Sequence, residues 1–327
     1  MGGSHFACAG CGTDHFAFHS CNHKACPRCG KAATAAWVER NLEKRVNAPY
    51  FLVTFTLPEE LRHEFFGPHA KEFYDLFFAA VAAAMGEKLA TAKTFHAEIN
   101  GFTAILHTWG QQMQFHPHIH LIVPGAGLNA KGKVVCVKKP DYLVKDELLR
   151  GAFRQHFRRL LDRRKWQVDR AVWKKDWGVH IQPAGSGDHA IRYLGAYVAR
   201  SVINDRRIVA ISENTVTFLW KDRDEKRFKP KTVPGTEFAK RYVRHVLPHG
   251  LRSVRYYGFC HPAAFRSRER IQMFTGSLIL FGPRPKPIAL GIPSCPACKM
   301  EMICVARLPR LRLNRGPPAF AAAPHLR

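Results

Sequence analysis

His107-Thr-Trp-Gly-Gln-Gln-Met-Gln-Phe-His-Pro-His-Ile-His-Leu-Ile-Val-Pro-Gly125 is the stretch on which the reading of this chain turns. Its second half runs into the apolar, β-branched Ile119 to Val123, bounded by Pro124 and Gly125, which is the pattern of a buried strand. Side chains two apart on a strand share a face, so His118 and His120 stand side by side while Ile119 turns inward. Two imidazoles on one face of a rigid strand can grip one metal ion. Residues 101–109 read as a preceding strand, and a hairpin through Gly110 to Phe115 folds His107 back as the third ligand. His116 shares the face, but its distance from His120 is about 13 Å by strand rise, too far for one coordination shell. Gln112 and Gln114 stay open as oxygen ligands. The plain alternative is a strand of solvated histidines, and three alternating histidines beside an apolar run weigh against it.

Working outward, 51 Lys and Arg against 25 Asp and Glu give a net charge of +26, spread along all 327 residues. A polyanionic partner accounts for that excess, nucleic acid ahead of a membrane surface. No apolar run reaches the roughly 18 residues of a membrane span, and no signal-peptide pattern opens the chain, so the expectation is a cytoplasmic, nucleoid-associated protein. Ten cysteines in a reducing compartment favour metal binding over disulfides.

Cys8-x-x-Cys11 and Cys26-Pro-Arg-Cys29 are two knuckles 14 residues apart, the spacing of a structural zinc site. The expected ligands are Cys8, Cys11, Cys26 and Cys29, with Cys21 and His23 as spares. Cys295-Pro-Ala-Cys298, with Cys304, reads as half of a second zinc site. The domain expectation is a zinc-binding module with its linking helix at 1–46, a catalytic domain at 47–275, and a Pro- and Arg-rich, poorly ordered tail at 276–327.

Tyr50 to Thr56 reads as a strand, 69–93 as a long helix with a Phe73/Leu76/Phe77/Ala80/Val81 core stripe, and 144–166 as an amphipathic helix. That last helix carries Arg154, Arg158, Arg159, Arg163, Arg164 and Lys165, and Trp166, Trp173 and Trp177 follow. Cations with interleaved tryptophans form a groove for single-stranded bases. Tyr193 and Tyr197 are four apart, so both phenols leave one helix face, among Arg192, Arg200, Arg206 and Arg207. Alone they read as core tyrosines; beside a divalent ion and arginines, a tyrosine becomes a candidate nucleophile for a phosphodiester. Residues 207–220 read as a hairpin and Lys221 to Lys231 as a charged loop.

At this point the chain resembles the IS91-type transposases, two-tyrosine HUH endonucleases of single-stranded DNA. The residues carrying the resemblance are Cys26-Pro-Arg-Cys29-Gly30, Val53-Thr-Phe-Thr-Leu-Pro58, His116-Pro-His-Ile-His120, Tyr193-Leu-Gly-Ala-Tyr197, His245-Val-Leu-Pro248 and Val254-Arg-Tyr-Tyr-Gly258. The resemblance implies an α/β fold with an HUH endonuclease-like central antiparallel sheet flanked by helices, beside a small N-terminal zinc-binding module. It also implies Tyr193 and Tyr197 as nucleophiles, a 5′-phosphotyrosyl intermediate, and rolling-circle transposition. His118 and His120, with His107, would hold catalytic Mn2+ or Mg2+, and Zn2+ would be structural. The expected partner is single-stranded DNA at transposon ends and target, with no membrane and with room for a homo-oligomer. The rivals are a zinc-dependent DNA-binding regulator and a catalytically inactive remnant.

Overall fold

The computed structural model describes residues 2–19, 21, 23–93, 95–198, 201–222, 224–277 and 292–309. In chain order the elements are β1 (Gly3–Ala7), β2 (Asp14–Phe18), α1 (Lys31–Glu43), β3 (Tyr50–Thr56), α2 (Ala70–Thr91), β4 (Gly101–Trp109), β5 (Phe115–Pro124), β6 (Ala126–Leu128) and β7 (Val134–Cys136). They continue with α3 (Asp146–Arg163), β8 (Gly178–Pro183), α4 (Asp188–Val198), β9 (Ile208–Ile211), β10 (Thr215–Lys221), β11 (Phe228–Pro234), α5 (Gly235–Val243), β12 (Val254–Gly258), α6 (Phe265–Phe274) and β13 (Ile303–Leu308). The chain separates into two compact units, 1–22 with 283–327, and 23–282.

In the first unit β1 is the centre of a three-stranded antiparallel sheet, with β2 on one side and β13 on the other. The stretch expected as a loose tail therefore contributes, through 303–308, a strand to the N-terminal module.

The second unit is built on a five-stranded sheet of order β12-β4-β5-β3-β8, antiparallel at every pairing. Alternation sorts its two faces. Phe51, Val53, Phe55, Leu106, Ile119, Leu121 and Val123 turn to one side and pack on Phe73, Phe77 and Phe78 of α2 and on Phe153 and Phe157 of α3. Each such side chain contributes about 1.5–3 kcal/mol by leaving water. Tyr50, Ile105 and Ile122 turn the other way, onto Trp37 and Val38 of α1, Ile191 and Leu194 of α4, and Ile271 of α6. Histidines 107, 118 and 120 share the parity of this second face, so α3 and its arginines lie across the sheet from them.

That placement revises the expected stacking groove. Trp177 is 1% exposed within the phenylalanine cluster. Trp166 packs on Phe73 and donates its Nε1–H to Glu64 at 3.0 Å. Trp173 stacks on Trp177 with ring centroids 5.4 Å apart. These indoles complete the α2/α3 core, and the basic side chains occupy the outer surface, with Arg158 over the Trp173 ring.

Besides β1, β2, β6 and β13, two further strands were not legible beforehand. β8 is a short edge strand, and β11 turns the expected charged loop at 228–231 into the outer strand of a second sheet, β11-β10-β9. This sheet buries Phe218 and Val233 against Met113, Val202 and Ile203.

Gly195 sits between the two tyrosines of α4 for a steric reason. A Cβ there would lie 2.3 Å from Val38 Cγ2 and 3.2 Å from the Trp37 ring, so only hydrogen lets α4 press on α1. Gly195→Val is expected to cost about 1–3 kcal/mol through overpacking. A urea melt of the variant that matches the wild type would refute the close contact.

Candidate active site

The β4–β5 hairpin sets His107 directly opposite His118 and Ile105 opposite His120. The register slips between His107 and Trp109: two steps along β4 match three along β5, so the bulge is on β5 at His116 and Pro117, opposite Thr108, a common device for re-aiming a side chain beside a site. His245 braces that bulge. It is buried, its Nδ1 accepts from Thr108 Oγ1 at 3.1 Å, and its Nε2–H donates to the Met113 carbonyl at 3.0 Å. Met113 has φ 62°, in the left-handed region, where the hairpin turns.

The three rings converge, with centroids 5.3 Å apart for His107–His118, 4.6 Å for His107–His120 and 4.8 Å for His118–His120. Their ligating nitrogens lie within 4.8 Å of one another. His118 Nδ1–H donates to the His116 carbonyl at 2.6 Å, and His120 Nδ1 bonds Thr54 Oγ1 at 2.8 Å, which turns Nε2 of both toward the common centre. His107 is 5% exposed, and its Nε2 is buried without a hydrogen-bond partner among the described residues. An orphaned buried nitrogen facing two further imidazoles fits a divalent ion of borderline softness. His116 lies on the same face but outside this group, 3.0 Å from the Arg62 guanidinium. The glutamines are committed elsewhere: Gln114 Oε1 accepts the Gln112 N–H, and Gln112 Oε1 accepts from Lys231.

Burial lowers His107 well below the usual imidazole range, and the neighbouring charges of His120 and His118 add to it. Burial, then His118, pushes His120 down to about 3. Folding therefore excludes protons that the unfolded chain binds below the ordinary value of 6.5. This stability is complete above that value and is lost as pH falls from 6.5 toward the folded values. The expected slope is about 1.4 kcal/mol per pH unit for each excluded proton. Thermal melts in chelator between pH 7 and 5 should show it, with a shallower slope in His107→Leu; an unchanged slope in that variant would contradict the burial argument.

The histidines floor a cleft of about 860 Å³ whose walls include Trp109, Gln111, His180, Tyr193, Tyr197 and Arg207. The Tyr197 ring is 4.6 Å from His107, and Tyr193 is a further 5.4 Å along α4, 48% exposed at the mouth. Arg207 is anchored by its Nε–H on the Leu219 carbonyl at 2.7 Å. Thr54, Gln111 and His180 were missed from sequence. The alternation of Val179 and Ile181 around His180 was the available signal, in a strand too short to stand out. Among the expected DNA-contacting residues, Arg192 is exposed on α4, while Arg154, Arg158, Arg159, Arg163, Arg164 and Lys165 form the far-side surface. Arg200 lies outside the described residues.

The expected zinc set needs correction. Cys8 and Cys11 meet Cys295 and Cys298, all four sulfurs within 4.8 Å of one another, and Cys26 and Cys29 belong to the other unit. The reason is topological: β13 pairs with β1 and carries the C-terminal knuckle to the N-terminal one. Backbone N–H groups of Cys298 and Ala297 directed at Cys295 lower its thiol to about 6.

Comparison with known proteins gives the class, a DNA-processing enzyme of the transposase type. A family described as "Putative transposase" matches residues 101–268, and one described as "Transposase zinc-binding domain" matches 1–57. "Putative transposase y4qJ" of Sinorhizobium fredii is 36% identical over 79% of this chain and 70% of its own length. The "Transposase for insertion sequence element IS801" of Pseudomonas savastanoi pv. phaseolicola is 26% identical over 98% of this chain and 84% of its own length. No solved structure matches. The chain belongs to the IS91-type transposase family. Among the described residues no helix is long and apolar enough to cross a membrane.

Proposed function

We propose that this transposase nicks and rejoins single-stranded DNA through a 5′-phosphotyrosyl intermediate, as in rolling-circle transposition. The observation that carries the reading is the placing of the Tyr197 ring 4.6 Å from His107, in the same cleft as the histidine group. His107, His118 and His120 would hold a divalent ion, which when bound polarises the scissile phosphate. Tyr197 Oη attacks phosphorus and the P–O3′ bond breaks. The phenol loses a proton, the 3′-oxygen gains one, and the phosphodiester energy is kept for rejoining. Arg207, fixed by Leu219, offsets the charge gathered on the phosphoryl oxygens. Tyr193 is the second nucleophile, so that donor and target strands can each be held once. Arg192 is the cation nearest the tyrosines in sequence, and the α3 surface takes phosphates of a strand running beyond the cleft.

Imidazole donors favour manganese over magnesium, which prefers oxygen ligands. With labelled single-stranded oligonucleotides from the ends of its element, the protein should form a denaturant-resistant adduct, manganese supporting it at least as well as magnesium. Adduct formation with magnesium alone would overturn the ligand assignment. Tight binding without an adduct on any end sequence would favour the regulator reading.

A further inference from the structure

We propose that Cys8, Cys11, Cys295 and Cys298 form one tetrathiolate zinc site that clasps the two ends of the chain together. Cys8 Sγ lies 3.4 Å from Cys298 Sγ, and Cys11 Sγ lies 3.5 Å from Cys295 Sγ. These separations are too long for disulfides, whose sulfurs sit at about 2.05 Å, and short enough for four thiolates around one ion at about 2.3 Å each. The two halves have the local geometry of knuckles. Gly12 N–H donates to the Cys8 carbonyl at 2.9 Å, and Lys299 N–H donates to the Cys295 carbonyl at 2.9 Å with Lys299 at φ 66°. Cys8 and Cys295 are buried together with Met302, so the site is lined on its inner side by apolar atoms. Cys304, two residues beyond Met302, is exposed and lies outside the group.

The site is closed. Four thiolates leave no position for water or substrate, so its role is structural. On binding, the thiols still protonated release their protons to solvent, and the ion takes two of the four negative charges. The ligand pairs are separated by 284 and 290 residues, so the unfolded chain has no preformed site and must close a very long loop to make one. Zinc affinity is therefore folding free energy for the first unit, and the β1–β13 pairing is its protein-side counterpart. The family's zinc-binding segment at 1–57 contains only half of these ligands. The other half comes from the far end of the chain.

The test uses the full-length protein and zinc alone. Metal analysis should find one zinc per chain fewer in Cys295→Ser/Cys298→Ser than in the wild type. Cys8→Ser/Cys11→Ser should lose the same single equivalent, and the fourfold variant should lose no more. A second readout needs no variant: alkylation of the native protein followed by mass spectrometry. With zinc, Cys8, Cys11, Cys295 and Cys298 should be protected together while Cys304 reacts, and chelator should release all four at one rate. Wild-type zinc content in Cys295→Ser/Cys298→Ser would overturn the proposal. So would alkylation of Cys295 and Cys298 at the rate of Cys304 while Cys8 and Cys11 stay protected.

Discussion

Tyr197→Phe should abolish the first covalent adduct, lowering its rate about 10³-fold or more, while Tyr193→Phe still forms it and fails to pass the strand on. The asymmetry follows from position. Tyr197 packs against His107, whereas Tyr193 is one turn outward and half exposed. Phenylalanine removes a single oxygen and keeps the ring that packs near Trp109, so the variant should still fold. Single-turnover assays on oligonucleotides with a fixed cleavage position would measure both steps. If Tyr193→Phe loses the adduct and Tyr197→Phe keeps it, the order of the nucleophiles is the reverse.

His107→Leu should separate metal binding from folding. A core histidine satisfied by the protein would leave partners stranded when removed, and stability would fall. His107 Nε2 has no such partner among the described residues, so replacing the ring with an apolar side chain of similar bulk should leave the metal-free protein equal or about 1–3 kcal/mol more stable. The stabilisation given by added manganese should vanish, and adduct formation should drop about 100-fold or more. A metal-free variant that melts well below the wild type would show the histidine to be structural.

Much of the site was legible because it obeys short periods. The two-residue repeat of His118-Ile119-His120 and the four-residue interval of Tyr193 and Tyr197 each put chemistry on one face, and a single hairpin brought His107 to the first pair. What escaped was decided by contacts far apart in the chain. Nothing local tells Cys11 to meet Cys295 across 284 residues, where the nearer knuckle at Cys26 has the better spacing. The tryptophans after α3 misled for a related reason: basic neighbours gave them the look of a nucleic-acid surface, but Trp177 fills the gap between Phe153 and Phe157. His245 stood out only as part of the His245-Val-Leu-Pro248 motif and gave no sign of its role, because its task is to hold the carbonyl of Met113 in a turn it meets only in the folded state.

Mounting both tyrosines on one short helix has a consequence for timing. With Gly195 pressing that helix on its neighbour, Tyr193 and Tyr197 cannot approach the histidine cluster independently. One reaction seat then serves two passengers, and they must take turns. On the proposed chemistry, a strand already joined to the inner residue blocks the seat until it is handed over. The enzyme would thus carry its own interlock: a second cut could not begin until the first product had been moved aside.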